Sequence, residues 1–176
     1  MRRLMMATAL ALIACVPAAA QRGAAPAGPT MAIETVKGAI EIQLFRSESP
    51  RSVDHVLDLA KHNFYRGQRI HRVEASLVQF GDPVSRDMSR RDWWGRAGSG
   101  SPIGVAEFNK HKNVRGAVGL AHTGNAAYAD SQLYICKAAM PSLDGKHVVI
   151  GQVVKGMDVV DKLQVADVLR NVTVRE

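Results

Sequence analysis

The chain has 176 residues, of which 47% are hydrophobic and 22% charged, with a formal net charge of +7. That length suits one ordinary domain rather than two, and the apolar share excludes a disordered chain because a real core can form. No dense Lys/Arg run with interleaved aromatics accompanies the basic excess, which argues against a nucleic-acid partner and for weak attraction to anionic surfaces or acidic polypeptides.

Residues 1–20 read as a secretory signal, with Arg2 and Arg3 before an apolar run from Leu4 to Ala14 and small residues Ala18 to Ala20 ahead of Gln21. The run is too short for a spanning helix, which needs about 20 apolar residues. Leu12-Ile13-Ala14-Cys15 leaves two readings open: Cys15 as a small apolar residue of that run, or as a lipid-attachment site that would tether the chain to a membrane. Cleavage after Ala20 removes two arginines and no acid, taking the charge from +7 to +5. Residues 21–30, rich in Ala, Gly and Pro, form a flexible lead-in, and residues 31–176 form the domain. An exported, periplasmic location follows.

Met31 to Thr35 and Ile40 to Leu44 predict a hairpin hinged at Lys37-Gly38, since Ile40, Ile42 and Leu44 alternate with Glu41 and Gln43. A helix follows: Ser49 can cap, Pro50 suits the first helical position, and Val53, Val56, Leu57, Ala60 and Phe64 recur at helical spacing. Strands return at Ile70 to Val73 and Leu77 to Phe80, then a long loop from Asp82 to Ser101 carries Arg90, Arg91, Trp93 and Trp94. Further strands are predicted at Val118 to Ala121, Leu133 to Lys137, His147 to Val154 and Val168 to Val174, with a short helix at Met157 to Leu163. Many short strands, two separate helices and no strand-helix-strand repeat point to an antiparallel barrel or sandwich capped by helices. Only Cys136 remains in the mature domain, inside an apolar run, and reads as a core residue.

Three blocks carry a family resemblance. Phe64-Tyr65-Arg66-Gly67-Gln68-Arg69-Ile70-His71-Arg72-Val73 with Gln79-Phe80-Gly81-Asp82-Pro83 is the first; Gly116 to Ala121 leading to Ser131-Gln132-Leu133-Tyr134-Ile135 is the second; Leu143-Asp144-Gly145-Lys146-His147-Val148-Val149-Ile150-Gly151 is the third. Together they resemble the cyclophilins, a family of peptidyl-prolyl cis-trans isomerases. The resemblance implies a mainly β fold, a closed antiparallel eight-stranded β-barrel capped by two α-helices, acting as a monomer on proline-containing polypeptides without a cofactor. It places Arg72 as the catalytic residue. It places Gln79, Leu77, Ala121, His122, Gln132, Tyr134, Leu143 and His147 as the substrate-binding set, with assistance to the folding of exported proteins as the function. The alternative is a peptide-binding chaperone module of the same fold with weak or lost catalysis.

The chemistry fits those residue types. Rotation about an X-Pro bond is opposed by amide resonance, with a barrier of about 18–20 kcal/mol, and twisting it leaves the prolyl nitrogen pyramidal and more basic. Catalysis therefore requires an apolar seat for the ring, a fixed donor and backbone contacts, with no nucleophile or metal. Six histidines are scattered without ligand spacing, so no metal site is expected.

Departures from the family spelling concentrate in the ring pocket. Ser76-Leu77-Val78 stands where Phe and Met precede the glutamine, so the Phe is absent and Leu77 takes the Met place; Tyr134 replaces the second aromatic and brings a hydroxyl that needs a partner if buried. Ala121-His122-Thr123 stands where Ala-Asn-Ala is usual, and Ser142 where a tryptophan is frequent. Arg72 and Gln79 are seven positions apart, one fewer than in the family, an odd separation that puts them on opposite faces of a regular strand unless the chain bends or bulges near Ala75-Ser76. Loss of the Phe removes apolar contact worth about 1–3 kcal/mol, with Tyr65, Leu77 or Trp93/Trp94 as candidates to refill the space.

Overall fold

The computed structural model describes residues 28–176. The export segment, Cys15 and the lead-in up to residue 27 lie outside the described residues. Eight strands follow in chain order: β1 (Thr30–Thr35), β2 (Gly38–Leu44), β3 (Arg72–Val73), β4 (Leu77–Phe80), β5 (Ala117–Leu120), β6 (Leu133–Cys136), β7 (Val149–Lys155) and β8 (Leu169–Arg175). Two helices accompany them, α1 (Pro50–Lys61) and α2 (Met157–Lys162). β1 and β2 form the hairpin that alternation predicted, with Thr35 opposite Gly38 and Ile33 opposite Ile40. Ile40, Ile42 and Leu44 are all buried. The segment from Asp82 to Ser101 is not plain loop, because it winds into two 3-10 stretches, Pro83–Arg86 and Met88–Trp93.

All pairings are antiparallel, in the order β3-β4-β6-β5-β7-β2-β1-β8. That order corrects the closed barrel: the sheet is an open half-barrel with β3 and β8 as its edges. The reason lies in β3, which is only two residues long and has no ladder to β8. The chain just before it approaches β8 through a single bridge, Arg69 with Val168, and through bonds such as Gly67 N–H to Leu169 O (2.8 Å) and Ile70 N–H to Asp167 O (2.9 Å). Register shifts at Glu34/Thr35, Glu41/Ile42 and Val118/Gly119 help curl the sheet.

Val53, Val56, Leu57 and Ala60 of α1 face the main core, as do Val159 and Val160 of α2. Phe64 falls beyond the end of α1 and packs half-buried on that core. Ser49 makes no side-chain cap. Instead the Glu107 carboxylate, from a distant loop, accepts from Arg51 N–H (3.1 Å) and Ser52 N–H (2.8 Å), while Ser49 Oγ donates to Glu107 O (3.1 Å). Negative charge at a helix N-terminus is favourable for the same reason a local cap is. A second, smaller apolar cluster gathers Ala117, Tyr134, Cys136 and Val149 with Phe45, Ala121, Met140 and Leu143 on the opposite side of the sheet from the main core. Cys136 is fully buried there, and burial pushes its thiol up to about 11. Such a thiol is an inert core group.

Candidate active site

The site begins at the β3–β4 hairpin. Arg72 lies directly opposite Gln79, and Val73 opposite Val78. The chain reverses over Ala75-Ser76, with Glu74 N–H donating to Leu77 O at 2.8 Å. Residues opposite each other in an antiparallel pair project from the same face. The odd separation of Arg72 and Gln79 therefore becomes the parity that joins them across a two-residue turn.

A directed chain of hydrogen bonds runs from that pair. Arg72 Nη1 donates to Gln79 Oε1 (3.2 Å), Gln79 Nε2 donates to Gln132 Oε1 (2.7 Å), and Gln132 Nε2 donates to Gly95 O (3.0 Å) and Ala97 O (2.8 Å). Every amide oxygen accepts and every amide nitrogen donates, which fixes both glutamine orientations. Arg72 Nε and Nη2 also reach Glu74 Oε1, at 2.8 and 2.7 Å. A guanidinium has five N–H groups and these contacts use three, so one on each terminal nitrogen is left for a ligand. The side chain is 51% exposed and lines the groove.

Beside this polar row lies the second apolar cluster. Leu77, Ala121, Tyr134, Met140 and Leu143 line its exposed side, in a groove of about 880 Å³. The Tyr134 ring lies flat across Gly119, where a Cβ would come within 2.3 Å of it, so that position requires glycine. Its hydroxyl has found its partner, donating to Asn113 Oδ1 at 2.6 Å. Burial keeps the phenol protonated by pushing it far above its ordinary value. Asn113 is itself held by Asp144, whose Oδ1 accepts from its backbone N–H (2.8 Å) and its Nδ2 (3.1 Å), and Met140 N–H donates to Asn113 O at 2.7 Å. Three walls of the apolar seat thus hang on one buried asparagine.

His147 stands edge-on to Tyr134, ring centroids 5.7 Å apart, and stacks on His122 at 4.1 Å. Because a carbonyl only accepts, His147 Nδ1 carries the proton it gives to Leu120 O (3.1 Å), as His122 Nε2 does toward Lys146 O (2.9 Å). Burial lowers the His147 pKa below its ordinary value; the bond to Leu120 opposes this and the charges of His122 and Lys146 add to it. The far rim is the loop from Trp94 to Gly100. Asp82 pins it by accepting from Gly95 and Arg96 N–H, and Asp130 pins it by accepting from Gly100 N–H (2.9 Å) while also meeting His55 Nε2 at 3.1 Å.

All nine residues singled out from sequence, Arg72, Gln79, Leu77, Ala121, His122, Gln132, Tyr134, Leu143 and His147, line this one groove. Sequence reasoning missed Asn113, Met140, His71 and the Gly95–Gly98 rim. Asn113 carried a readable signal, a polar residue three before Gly116 on the approach to β5, but its partners lie 21 and 31 positions away. Among the candidates to refill the absent Phe, Leu77 and Trp94 border the groove. Tyr65 is buried in the main core, bonded to Ser131 O (3.1 Å), and Trp93 points outward. Among the described residues, no group of three or more His, Cys, Asp or Glu is placed to hold a metal ion.

Residues 30–176 match the family described as cyclophilin type peptidyl-prolyl cis-trans isomerase/CLD. The chain is 35% identical over 144 residues to a peptidyl-prolyl cis-trans isomerase of Helicobacter pylori, covering 80% of this chain and 83% of that one. It is 34% identical over 139 residues to a probable peptidyl-prolyl cis-trans isomerase of Brucella suis, covering 77% and 71%. With the human peptidyl-prolyl cis-trans isomerase-like 3 it shares 32% over 136 residues, covering 77% and 81%. Among solved structures, a Cryptosporidium parvum cyclophilin type isomerase in the presence of the dipeptide Ala-Pro superposes with a TM-score of 0.69 at 20% identity, covering 84% of this chain and 99% of that one. A cyclophilin from Hirschia baltica gives 0.69 at 17% identity, covering 82% and 73%. At those identities the likeness concerns the fold.

Proposed function

The chain belongs to the cyclophilin-type peptidyl-prolyl cis-trans isomerases, and from that premise we propose that Arg72 is the group that stabilises the twisted X-Pro amide. The observation that carries this reading is the placement of Arg72: two of its N–H groups are free, and Gln79 and Glu74 hold its plane at the rim of the apolar seat. A substrate proline enters between Leu77, Tyr134, Met140 and Leu143. The guanidinium then donates toward the prolyl nitrogen as resonance is lost and that nitrogen gains a lone pair. The interaction strengthens only as the bond twists, which is the condition for lowering a barrier. Gln132 and the backbone at His122 align the flanking peptide, and the Ala-Pro dipeptide present with the Cryptosporidium relative is a ligand of the size this seat admits.

The polar row Arg72, Gln79 and Gln132 beside an apolar seat suits a peptide backbone, so we take the substrates to be extended or unfolded polypeptides. The Arg2-to-Ala20 segment supports exported polypeptides as the clients, with work in the periplasm. Arg72→Ala is expected to cut turnover of a proline peptide in a protease-coupled assay by about 100-fold, the usual cost of losing one transition-state donor. Unchanged turnover in a folded variant overturns the role. One observation favours the alternative of a binding module: Glu74 takes two guanidinium nitrogens. A pure binder would protect unfolded clients from aggregation and leave the isomerisation rate at its solvent value.

A further inference from the structure

We propose that Arg90, Arg91, Trp93 and Arg96 form a docking surface for acidic side chains of the polypeptide whose proline occupies the groove; the inference rests on the peptide-binding reading of that groove. The surface is continuous with the site, because Trp94, Gly95 and Arg96 line the groove while Arg90, Arg91 and Trp93 lie on the 3-10 stretch that leads into them. Trp93 is 56% exposed, and Met88, at the start of the same stretch, 48%.

Two features mark these cations: they gather unpaired on the one segment that leads into the groove, and two of them lie over indole rings. Arg46, Arg72 and Arg115 are matched by Asp54, Glu74 and Asp161, whereas Arg51, Arg66, Arg69, Arg86, Arg170 and Arg175 are scattered over the fold without a carboxylate partner among the described residues. Among the described residues, Arg90, Arg91 and Arg96 pair with no carboxylate. Nearby acids are mostly committed. Asp82 is buried against Val84, Gly95 and Arg96 N–H, and Asp87 accepts from Ser89 N–H (2.9 Å) and Oγ (2.7 Å), which leaves Asp92 as the one carboxylate of the segment without a bond. Arg86 is spent on the carbonyls of Phe64 and Arg66.

The second feature is cation-π contact. The Arg96 guanidinium sits 5.1 Å from the centre of the Trp93 ring, and Arg91 5.8 Å from that of Trp94. Trp94 is in turn fixed by its indole N–H, which donates to Asp87 O at 3.1 Å. A guanidinium over an indole is restrained by the cation-π attraction, and its fork of N–H donors suits bidentate capture of a carboxylate. An extended chain advances about 3.3 Å per residue, so side chains two to four positions from the seated proline reach this rim.

Fluorescence anisotropy with four labelled peptides tests the proposal. Each carries one Ala-Pro, and either two Glu or two Lys are placed two to four positions away on the N-terminal or the C-terminal side. On one side the Glu peptide is expected to bind about five-fold or more tighter than its Lys counterpart at low ionic strength. The ratio should shrink in about 0.5 M salt and approach one in Arg90→Ser/Arg91→Ser/Arg96→Ser. Equal affinities in the unaltered protein, or a Glu preference that survives the triple replacement, overturn the proposal. Displacement of the Glu peptide by a single-stranded oligonucleotide at lower concentration than by unlabelled Glu peptide also overturns it, in favour of nucleic acid. Failure of all four peptides to bind overturns the groove reading itself. Because affinity is read, absence of catalysis leaves the test intact.

Discussion

Asn113 shows how a single side chain can compensate for a change elsewhere in a pocket. Tyrosine in place of a plain aromatic ring would bury an unpaired hydroxyl, and Asn113 removes that cost while tying β6 to the Met140–Asp144 turn. Leaving a buried donor unpaired costs about 1–3 kcal/mol, whereas removing both partners is nearly neutral. Asn113→Ala is therefore expected to lower stability by about that amount and to raise KM several-fold more than it lowers kcat, since the seat loosens while Arg72 stays in place. Adding Tyr134→Phe should recover part of the stability, giving a coupling of about 1 kcal/mol in a double-mutant cycle by urea unfolding. Additive losses would show that the bond carries nothing.

At the scale of elements, two local rules met tertiary geometry. The alternation rule places Arg72 and Gln79 on opposite faces of one strand, and the rule is sound for one strand. The hairpin over Ala75-Ser76, at the place where the sequence required a bend for both to line one groove, makes them cross-strand neighbours. Likewise Ser49-Pro50 is a fair N-terminal signal: Pro50 does open α1, yet the exposed N–H groups of Arg51 and Ser52 are satisfied by Glu107 from 55 or more positions away. Replacing a cap costs about 1 kcal/mol per lost bond, and each kcal/mol shifts the midpoint of a domain this size by about 2–4 °C. Glu107→Ala should thus lower Tm by about 4 °C in calorimetry, and Ser49→Ala, which also loses a bond from Asn109 Nδ2 (2.9 Å), should destabilise by the same route. An unshifted Tm for Glu107→Ala would mean water caps the helix equally well.

For the molecule as a whole, acid is the informative perturbation. Burial lowers the pKa of both His71 and His147 below the ordinary value; Asp82 and Gln132 oppose the shift at His71, while Arg72 adds to it. Both are neutral in the fold and take up protons more readily when unfolded. Their contribution to stability is present above the unfolded value of about 6.5 and is lost as pH falls through the folded values. The urea midpoint is therefore expected to drop between about pH 7.5 and 5.5, and His147→Asn to flatten that slope. A midpoint that rises on acidification contradicts the burial of these rings.

The sequence determined the mainly β character, the β1–β2 hairpin, the apolar face of α1, the family, and a set of nine residues that converge on one groove. These are legible because hydrophobic period and short blocks are local properties. Tertiary structure decided the rest. It left the sheet open, because a two-residue β3 cannot form a ladder with β8; it placed Arg72 with Gln79, because a turn and not strand parity governs them. It also brought Met140 to the groove and gave the Tyr134 hydroxyl its partner in Asn113. The Arg69–Val168 bridge between the β3 approach and β8 and the Tyr134–Asn113 bond join positions 99 and 21 residues apart, and nothing in a local window of sequence encodes which distant partner will arrive.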